Sequence, residues 1–364
     1  MQVENESEVP SPALLIYPDR VEENLRRMLA IAGGPDRLRP HIKTHKIPQI
    51  IALQVGLGIV KCKCATIAEA EMAAVSGAKD VLVAGQLVGP GVARFLELSR
   101  AYPETQFSTI ADDEAALIAM SVAAVAAGQT IEVLLDLDVG QHRTGIAPGP
   151  AARNLYALIA KLDGLRPDGL HAYDGHLHQI DPIERAAASD AVAAMVFALR
   201  DELRQLGLRV PRVVLGGTPT FPMHARRDGV ECSPGTCVLW DAGYAAKIPD
   251  LVFLQAAVLL ARVGSRPTSQ RLCLDLGHKA VASEMPQPRV VFPELPDARP
   301  VAHNEEHLVL ETNRAAEFPV GSVLYGIPWH VCPTVALHDR VYVVRDGRVV
   351  AEWPVVARAR KLNF

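Results

Sequence analysis

No stretch of this chain approaches the ~18 consecutive apolar residues that a membrane helix needs. Its start, Met1 to Pro10, is acidic and polar, with neither the basic region nor the apolar run of a secretory signal. A soluble, cytoplasmic protein is therefore the expectation. Charge of one sign is also missing, since 37 Lys and Arg against 41 Asp and Glu leave a formal −4. Nothing favours nucleic acid or an anionic membrane surface as a partner. Cysteine is sparse. Six in 364 residues, at 62, 64, 232, 237, 273 and 332, do not form a disulfide framework. Cys62 and Cys64 could share a metal, but no second pair stands at finger spacing, and buried thiols on a strand are the preferred reading. Low-complexity linkers and internal repeats are absent as well. What the chain holds in quantity is hydrophobic residues, 49 % of the total. That supports a core larger than one ordinary domain, so a barrel-sized domain plus a smaller one is expected.

The pattern of those residues is an alternation. Short runs rich in Val, Ile and Leu occur near Leu38 to Lys43, Gly58 to Lys63, Val81 to Ala84, Gln106 to Ile110, Ile131 to Leu137, Gly169 to Tyr173, Arg212 to Leu215 and Val230 to Cys232. Amphipathic, Ala-rich segments separate them: Ile67 to Ser76, Val92 to Tyr102, Asp113 to Ala127, Ala151 to Leu162 and Pro182 to Leu206. Asp19 can cap an earlier helix running to Ala32. Eight strands separated by helices predict a (β/α)8 TIM barrel over residues 18–250, with a doubly wound sheet as the alternative because the eighth unit is short and rich in Gly and Pro. From Leu251 the rhythm turns to strands and tight turns. A C-terminal, mainly β domain is expected over residues 251–364, joined by residues 10–17 as a strand.

The chemistry gathers where strands end. Leu38-Arg39-Pro40-His41-Ile42-Lys43-Thr44-His45-Lys46, if extended, sets Arg39, His41, Lys43 and His45 on one face. Like charges and desolvation push a lysine toward its neutral amine, the form that attacks a carbonyl. A solvated basic edge strand is the plainer alternative. Asp136 to Gly145 holds Arg143 among polar residues and a glycine. His171 to His178 carries three histidines, with His176 and His178 on one face if the strand continues. Gly216-Gly217-Thr218-Pro219-Thr220 and Ser233-Pro234-Gly235-Thr236 expose backbone N–H groups and hydroxyls at the ends of the last two strands, where barrels hold phosphate. An amine at the first strand and a phosphate site at the last two imply a phosphorylated aldehyde, pyridoxal phosphate. In Trp329-His330-Val331-Cys332-Pro333-Thr334 a strand would aim His330 and Cys332 the same way, so that both grip one cation and leave positions open for water or a substrate hydroxyl.

Arg39 to Lys46, Asp138 to Gly145, Gly217 to Thr220 and His330 to Thr334 together resemble the D-threonine aldolase / D-serine dehydratase family, fold-type III pyridoxal phosphate enzymes related to the alanine racemase N-terminal domain. The resemblance spans essentially the whole chain. It implies a homodimer, Lys43 as the lysine that carries the cofactor, with His41 beside it, and a divalent metal (Zn, Mn or Mg) on His330 and Cys332. By the same resemblance Arg143 reaches the cofactor's phenolic oxygen, Tyr173 its ring, and Gly217, Thr218, Gly235 and Thr236 its phosphate. The expected activity is a lyase acting on small β-hydroxy D-amino acids, with retro-aldol cleavage to glycine and an aldehyde and with His176 or His178 taking the hydroxyl proton. Family aldolases tend to carry an aspartate where this chain has Cys332, and dehydratases a cysteine, so a D-serine or D-3-hydroxyaspartate dehydratase is the alternative. Amino-acid racemisation, which needs no metal, and a non-enzymatic cofactor carrier, which would lack the β domain, rank lower.

Overall fold

The computed structural model describes residues 2–360, so the last four positions assigned to the β domain lie outside the described residues. Two compact units emerge. One gathers the N-terminal stretch to Arg27, Thr44–Ile47 and Thr236–Arg358, and the other is built from Met28–Lys43 and Pro48–Gly235.

The chain opens with β1 (Ala13–Ile16) and α1 (Pro18–Ala32), after which α2 (Pro48–Gly56) leads into the parallel sheet. There β2 (Lys61–Cys64), β3 (Asp80–Val83), β4 (Gln106–Ala111), β5 (Ile131–Leu137), β6 (Leu165–Ala172), β7 (Val213–Leu215) and β8 (Val230–Cys232) pair in that order, each with the next. Between them lie α3 (Ile67–Val75), α4 (Pro90–Ala101), α5 (Glu114–Ala127), α6 (Pro150–Ile159), α7 (Pro182–Gln205) and the short α8 (Phe221–His224). The helix boundaries follow local chemistry. Thr66 and Asp113 accept from the third backbone N–H of α3 and α5, Pro opens α4, α6 and α7, and Gly128 closes α5 in the left-handed region. Leu82, Ile110, Leu134 and Val214, one each from β3, β4, β5 and β7, form an apolar cluster between strands.

The expected first strand is not one. Leu38 bridges to Cys232 of β8 and His41 to Lys63 of β2, with Arg39 N donating to Cys232 O at 2.8 Å and Lys63 N to Pro40 O at 2.9 Å. Residues 38–41 thus span the gap between the first and last strands of a partly closed barrel without forming a ladder. Pro40 has no N–H to donate, and the chain turns at once into a 3-10 turn, Ile42–Thr44. Arg39 points into a buried ion network, with Asp80 at 2.7 Å and Glu231 at 2.6 Å. Arg212 extends that network from Asp80 to Asp168, at 2.7 and 2.8 Å.

In the other unit α9 (Ala242–Lys247) precedes β9 (Ala257–Thr268), β10 (Arg271–Leu274), β11 (Val290–Val291), β12 (Arg299–His303), β13 (Leu308–Glu311) and β14 (Val323–Pro328), and then α10 (Val331–Leu337), β15 (Arg340–Arg345) and β16 (Arg348–Pro354). The sheet runs β12-β13-β10-β9-β1-β15-β16, with β14 on β9 and β11 on β14. β1 pairs antiparallel with β9 (Leu15 opposite Val258) and parallel with β15 (Leu15 opposite Tyr342), and is buried on both faces. Among the described residues no helix is long and apolar enough to cross a membrane.

Candidate active site

A cavity of about 480 Å³ lies in the parallel-sheet unit, lined among others by His41, Lys43, Lys63, Asp136, Arg143 and Tyr173. Most of these residues lie at or just past the C-terminal ends of strands, the end at which barrels carry chemistry. Lys43 occupies the 3-10 turn after the bridging segment, and its backbone N–H faces His41 Nδ1 at 3.4 Å.

The loop after β5 folds back on its own strand. Asp138 Oδ1 accepts from the N–H groups of Gly140 and His142 at 3.0 Å, and Ile146 N returns to Asp136 O at 3.0 Å. Gly145, at φ +97°, is obligatory there, because a Cβ would stand 2.4 Å from Asp138 N. The turn brings Thr144 Oγ1 to Asp136 Oδ2 at 2.9 Å and swings the Arg143 guanidinium to 5.2 Å from the Tyr173 ring. Lys43 and Lys63 also approach that ring, their Nζ atoms 5.9 and 5.8 Å from its centre. Gly217 lets the loop after β7 come against Tyr173, since a Cβ there would meet the ring at 2.9 Å. On the next loop Gly235 N donates to Thr218 Oγ1 at 3.2 Å.

Lys63 is the residue the sequence reading passed over. Lys61-Cys62-Lys63-Cys64 drew attention to its thiols. In β2 they alternate away from Lys63, Cys62 toward Gln54 and Cys64 toward Leu82 O, both buried and neither in a disulfide. Burial pushes the Cys62 thiol up to about 12, and the metal-pair reading of these two cysteines finds no support. Lys63 itself faces the cavity at 2 % exposure, 3.4 Å from His171 Nε2, while His171 Nδ1 meets Asp136 Oδ1 at 2.7 Å. Burial, then the ammonium of Lys43, push the Lys63 amine down to about 7, and the His171 imidazole is lowered by burial and by Lys63. The crowding of cations expected around Lys43 is thus concentrated on Lys63, because Arg39 turns to the ion network and His45 belongs to the other unit. A lysine between two buried thiols on a strand was the available signal.

The expected face of His176 and His178 does not form, since β6 stops at Ala172 and Gly175-His176 is a turn. His176 packs on Gly140 with a buried Nδ1 that has no hydrogen-bond partner, His178 is exposed, and neither lines the cavity among the described residues. Gln141 does line it, with a buried Oε1 left unpaired. An open cavity bearing a lysine and an arginine beside an aromatic ring, with an unpaired amide oxygen and glycines that admit close approach, fits a flat aldehyde cofactor.

His330 and Cys332 lie in the other unit, on a helix start and not on a strand. His330 is the residue before α10 and Cys332 is in its first turn, where Pro333 needs no N–H partner. The two side chains are hydrogen-bonded to each other. Burial alone would lower the imidazole, but Cys332 and the Glu284 carboxylate push His330 up to about 9; burial would raise the thiol, but His330 and Thr44 draw it down. Cys332 Sγ stands 3.3 Å from Thr44 Oγ1 and 3.6 Å from Thr236 Oγ1. His330 Nδ1 is bonded to Glu284, the arrangement that orients a metal-ligating imidazole. Among the described residues no group of three or more metal-binding side chains occurs, so the fit is to a two-ligand site, and imidazole with thiolate suits zinc better than magnesium.

Two family models match the chain. Residues 16–241 match the alanine racemase N-terminal domain, and residues 256–344 a putative serine dehydratase domain. The chain is 34 % identical to a D-threonine aldolase of Arthrobacter sp, over 96 % of this chain and 93 % of that protein. It is 27 % identical to D-threo-3-hydroxyaspartate dehydratase of Delftia sp. (strain HT23), over 94 % and 96 %. The crystal structure of D-threonine aldolase from Filomicrobium marinum superposes with a TM-score of 0.89 at 33 % identity, covering 96 % of each chain.

Proposed function

This chain belongs to the D-threonine aldolase / D-serine dehydratase family of fold-type III pyridoxal phosphate enzymes, and from that premise we propose that it is a β-hydroxy D-amino acid lyase cleaving Cα–Cβ to give glycine and an aldehyde. The observation that carries this reading is the cavity at the strand ends, in which Lys43 stands beside Arg143 and Tyr173. Bound pyridoxal phosphate supplies an electron sink for the bond broken at Cα.

The chain's residues divide the remaining work. Lys43 supplies the amine that holds the cofactor and yields to the substrate amine. His41, Arg143 and Tyr173 hold the ring, and Gly217, Thr218, Gly235 and Thr236 the phosphate. His330 and Cys332 would hold a divalent cation, which lowers the pKa of a coordinated hydroxyl. His176 and His178 are the bases proposed for that hydroxyl's proton, with the unpaired Nδ1 supporting His176. A homodimer in the cytoplasm completes the reading.

One observation favours a second reaction. Cys332 is the residue expected of dehydratases, in which Lys43 would take the Cα proton and the hydroxyl would leave to give a keto acid and ammonia. Purified protein loaded with pyridoxal phosphate, given D-threonine or D-serine with and without a chelator, separates the two. Glycine plus acetaldehyde supports the aldolase reading, and keto acid plus ammonia overturns it. Full activity after chelation would remove the role of His330 and Cys332.

A further inference from the structure

We propose that Lys63 is a second proton-carrying amine of this cavity, which delivers a proton to the α-carbon of the product amino acid once Cα–Cβ has broken, and that His171 and Asp136 are the positioning residues that hold it. The proposal rests on the lyase reading above.

Lys63 stands where barrels place apolar side chains; the cluster between the neighbouring strands is Leu82, Ile110, Leu134 and Val214. Its hydrogen-bond partner among the described residues is a ring nitrogen, His171 Nε2, and no carboxylate pairs with it directly. Asp136 holds the proton on His171 Nδ1 and is itself fixed by Thr144, so Nε2 turns its lone pair to Lys63. Lys43 and Lys63 stand at nearly equal distance from the Tyr173 ring, so both amines reach the same space.

Such a head group is expensive to bury without a carboxylate, and a methionine would fill the space without that cost. The charges around it set its protonation. Burial and Lys43, with Arg39, lower it, while Asp136 and Asp174 oppose, leaving the amine near 7. His171 and the Tyr173 ring complete its surroundings, and Arg143 reaches that ring. An amine present in both forms near neutrality is suited to passing a proton either way.

The step balances. When Cα–Cβ breaks, the hydroxyl proton passes to the base proposed above, His176 or His178, the aldehyde leaves with its new C=O, and an electron pair stays on Cα. The Lys63 N–H bond then breaks, its proton forms the Cα–H bond of glycine, and water reprotonates the neutral amine.

Run backward, the same transfer exchanges the α-hydrogen of glycine with solvent, and that is the test. With the full-length, cofactor-loaded protein in D2O, NMR should show exchange of glycine Cα–H. Lys63→Met should lose it about 100-fold while the cofactor absorbance and the aldehyde burst from D-threonine persist. Lys63→Arg should not restore exchange, because a guanidinium does not deprotonate. Exchange at the native rate in Lys63→Met overturns the proposal. Should that variant misfold, Lys63→Gln keeps a donor to His171 without a titrating amine, with the same expectation. A second readout needs no turnover. In the cofactor-free protein labelled with 15N-histidine, the His171 ring signals should report the titration of the neighbouring Lys63 amine near pH 7 and lose that transition in the variant, and a flat native profile overturns the assignment. His171→Gln should move the midpoint of exchange without abolishing it; no shift removes its positioning role. If native protein exchanges glycine yet releases no aldehyde from D-threonine, the lyase reading falls, and the loss or retention of exchange in Lys63→Met still decides the Lys63 assignment.

Discussion

Arg39 holds Asp80 with both guanidinium ends, Nη1 to Oδ1 at 2.8 Å and Nη2 to Oδ2 at 2.7 Å, in a position where the arginine is wholly buried. Arg39 stands three residues before the 3-10 turn, Ile42–Thr44, that carries Lys43, and Glu231 on β8 closes the other side of the guanidinium at 2.6 Å. The network fastens the bridging residues 38–41 at the point where they lack a ladder.

Asp80→Ala should therefore destabilise the protein by about 3 kcal/mol, the lower end of the range for removing one partner of a buried pair, because Glu231 still faces Arg39. Urea unfolding measures it. A loss below about 1 kcal/mol would mean the network does not fasten the segment.

The same carboxylates set an acid limit. Burial would raise Asp80 and Glu231, but Arg39, with Arg212 and Lys61, holds both below their ordinary values of 3.8 and 4.5. The unfolded chain thus takes up these protons first as pH falls. Their stabilisation is full above the ordinary carboxylate range and is lost as pH drops through the folded values. The melting temperature should be level from pH 7 to about 5 and fall steeply below 4. A profile in which Asp80→Ala falls as steeply as the native protein would refute the assignment.

Lys43→Ala should remove the absorbance of the cofactor imine and lower turnover by about 10²–10⁴-fold or more. A variant that stays yellow would show that another amine holds the aldehyde, and Lys63 would be the first to examine.

Glu284→Gln should weaken zinc binding about 10–100-fold, since the carboxylate orients His330 without reaching the metal. Titration with zinc and a competing indicator measures it directly. Equal affinities in native and variant protein would place the cation elsewhere.

Sequence periodicity carried the helices well. The segments predicted from Asp113 and Pro182 match α5 and α7 to within a residue or two, because capping and initiating residues mark those boundaries locally. The β unit announced itself by the change of rhythm from Leu251, but β12, whose Arg299-Pro300-Val301-Ala302-His303 is largely exposed, has too little apolar alternation to show as a strand. α10 was hidden by Pro333, which reads as a breaker but is tolerated in a first turn. The lining of the cavity was legible where a basic run or a polar loop broke the pattern, at Lys43 and Arg143. It was not legible at Lys63, His171 and Asp136, whose meaning comes from three strands meeting, a relationship no single segment contains.

β1 lies between β9 and β15, so the first strand in the sequence has its parallel neighbour, Tyr342 opposite Leu15, near the far end of the chain. During synthesis β1 must wait for almost the entire polypeptide, at ~5–20 residues per second, before its second edge is covered. Nascent chains stalled before β15 should accordingly expose a sticky apolar strand, and truncation from the C-terminal end should cost solubility sooner than loss of an equal length from a surface loop.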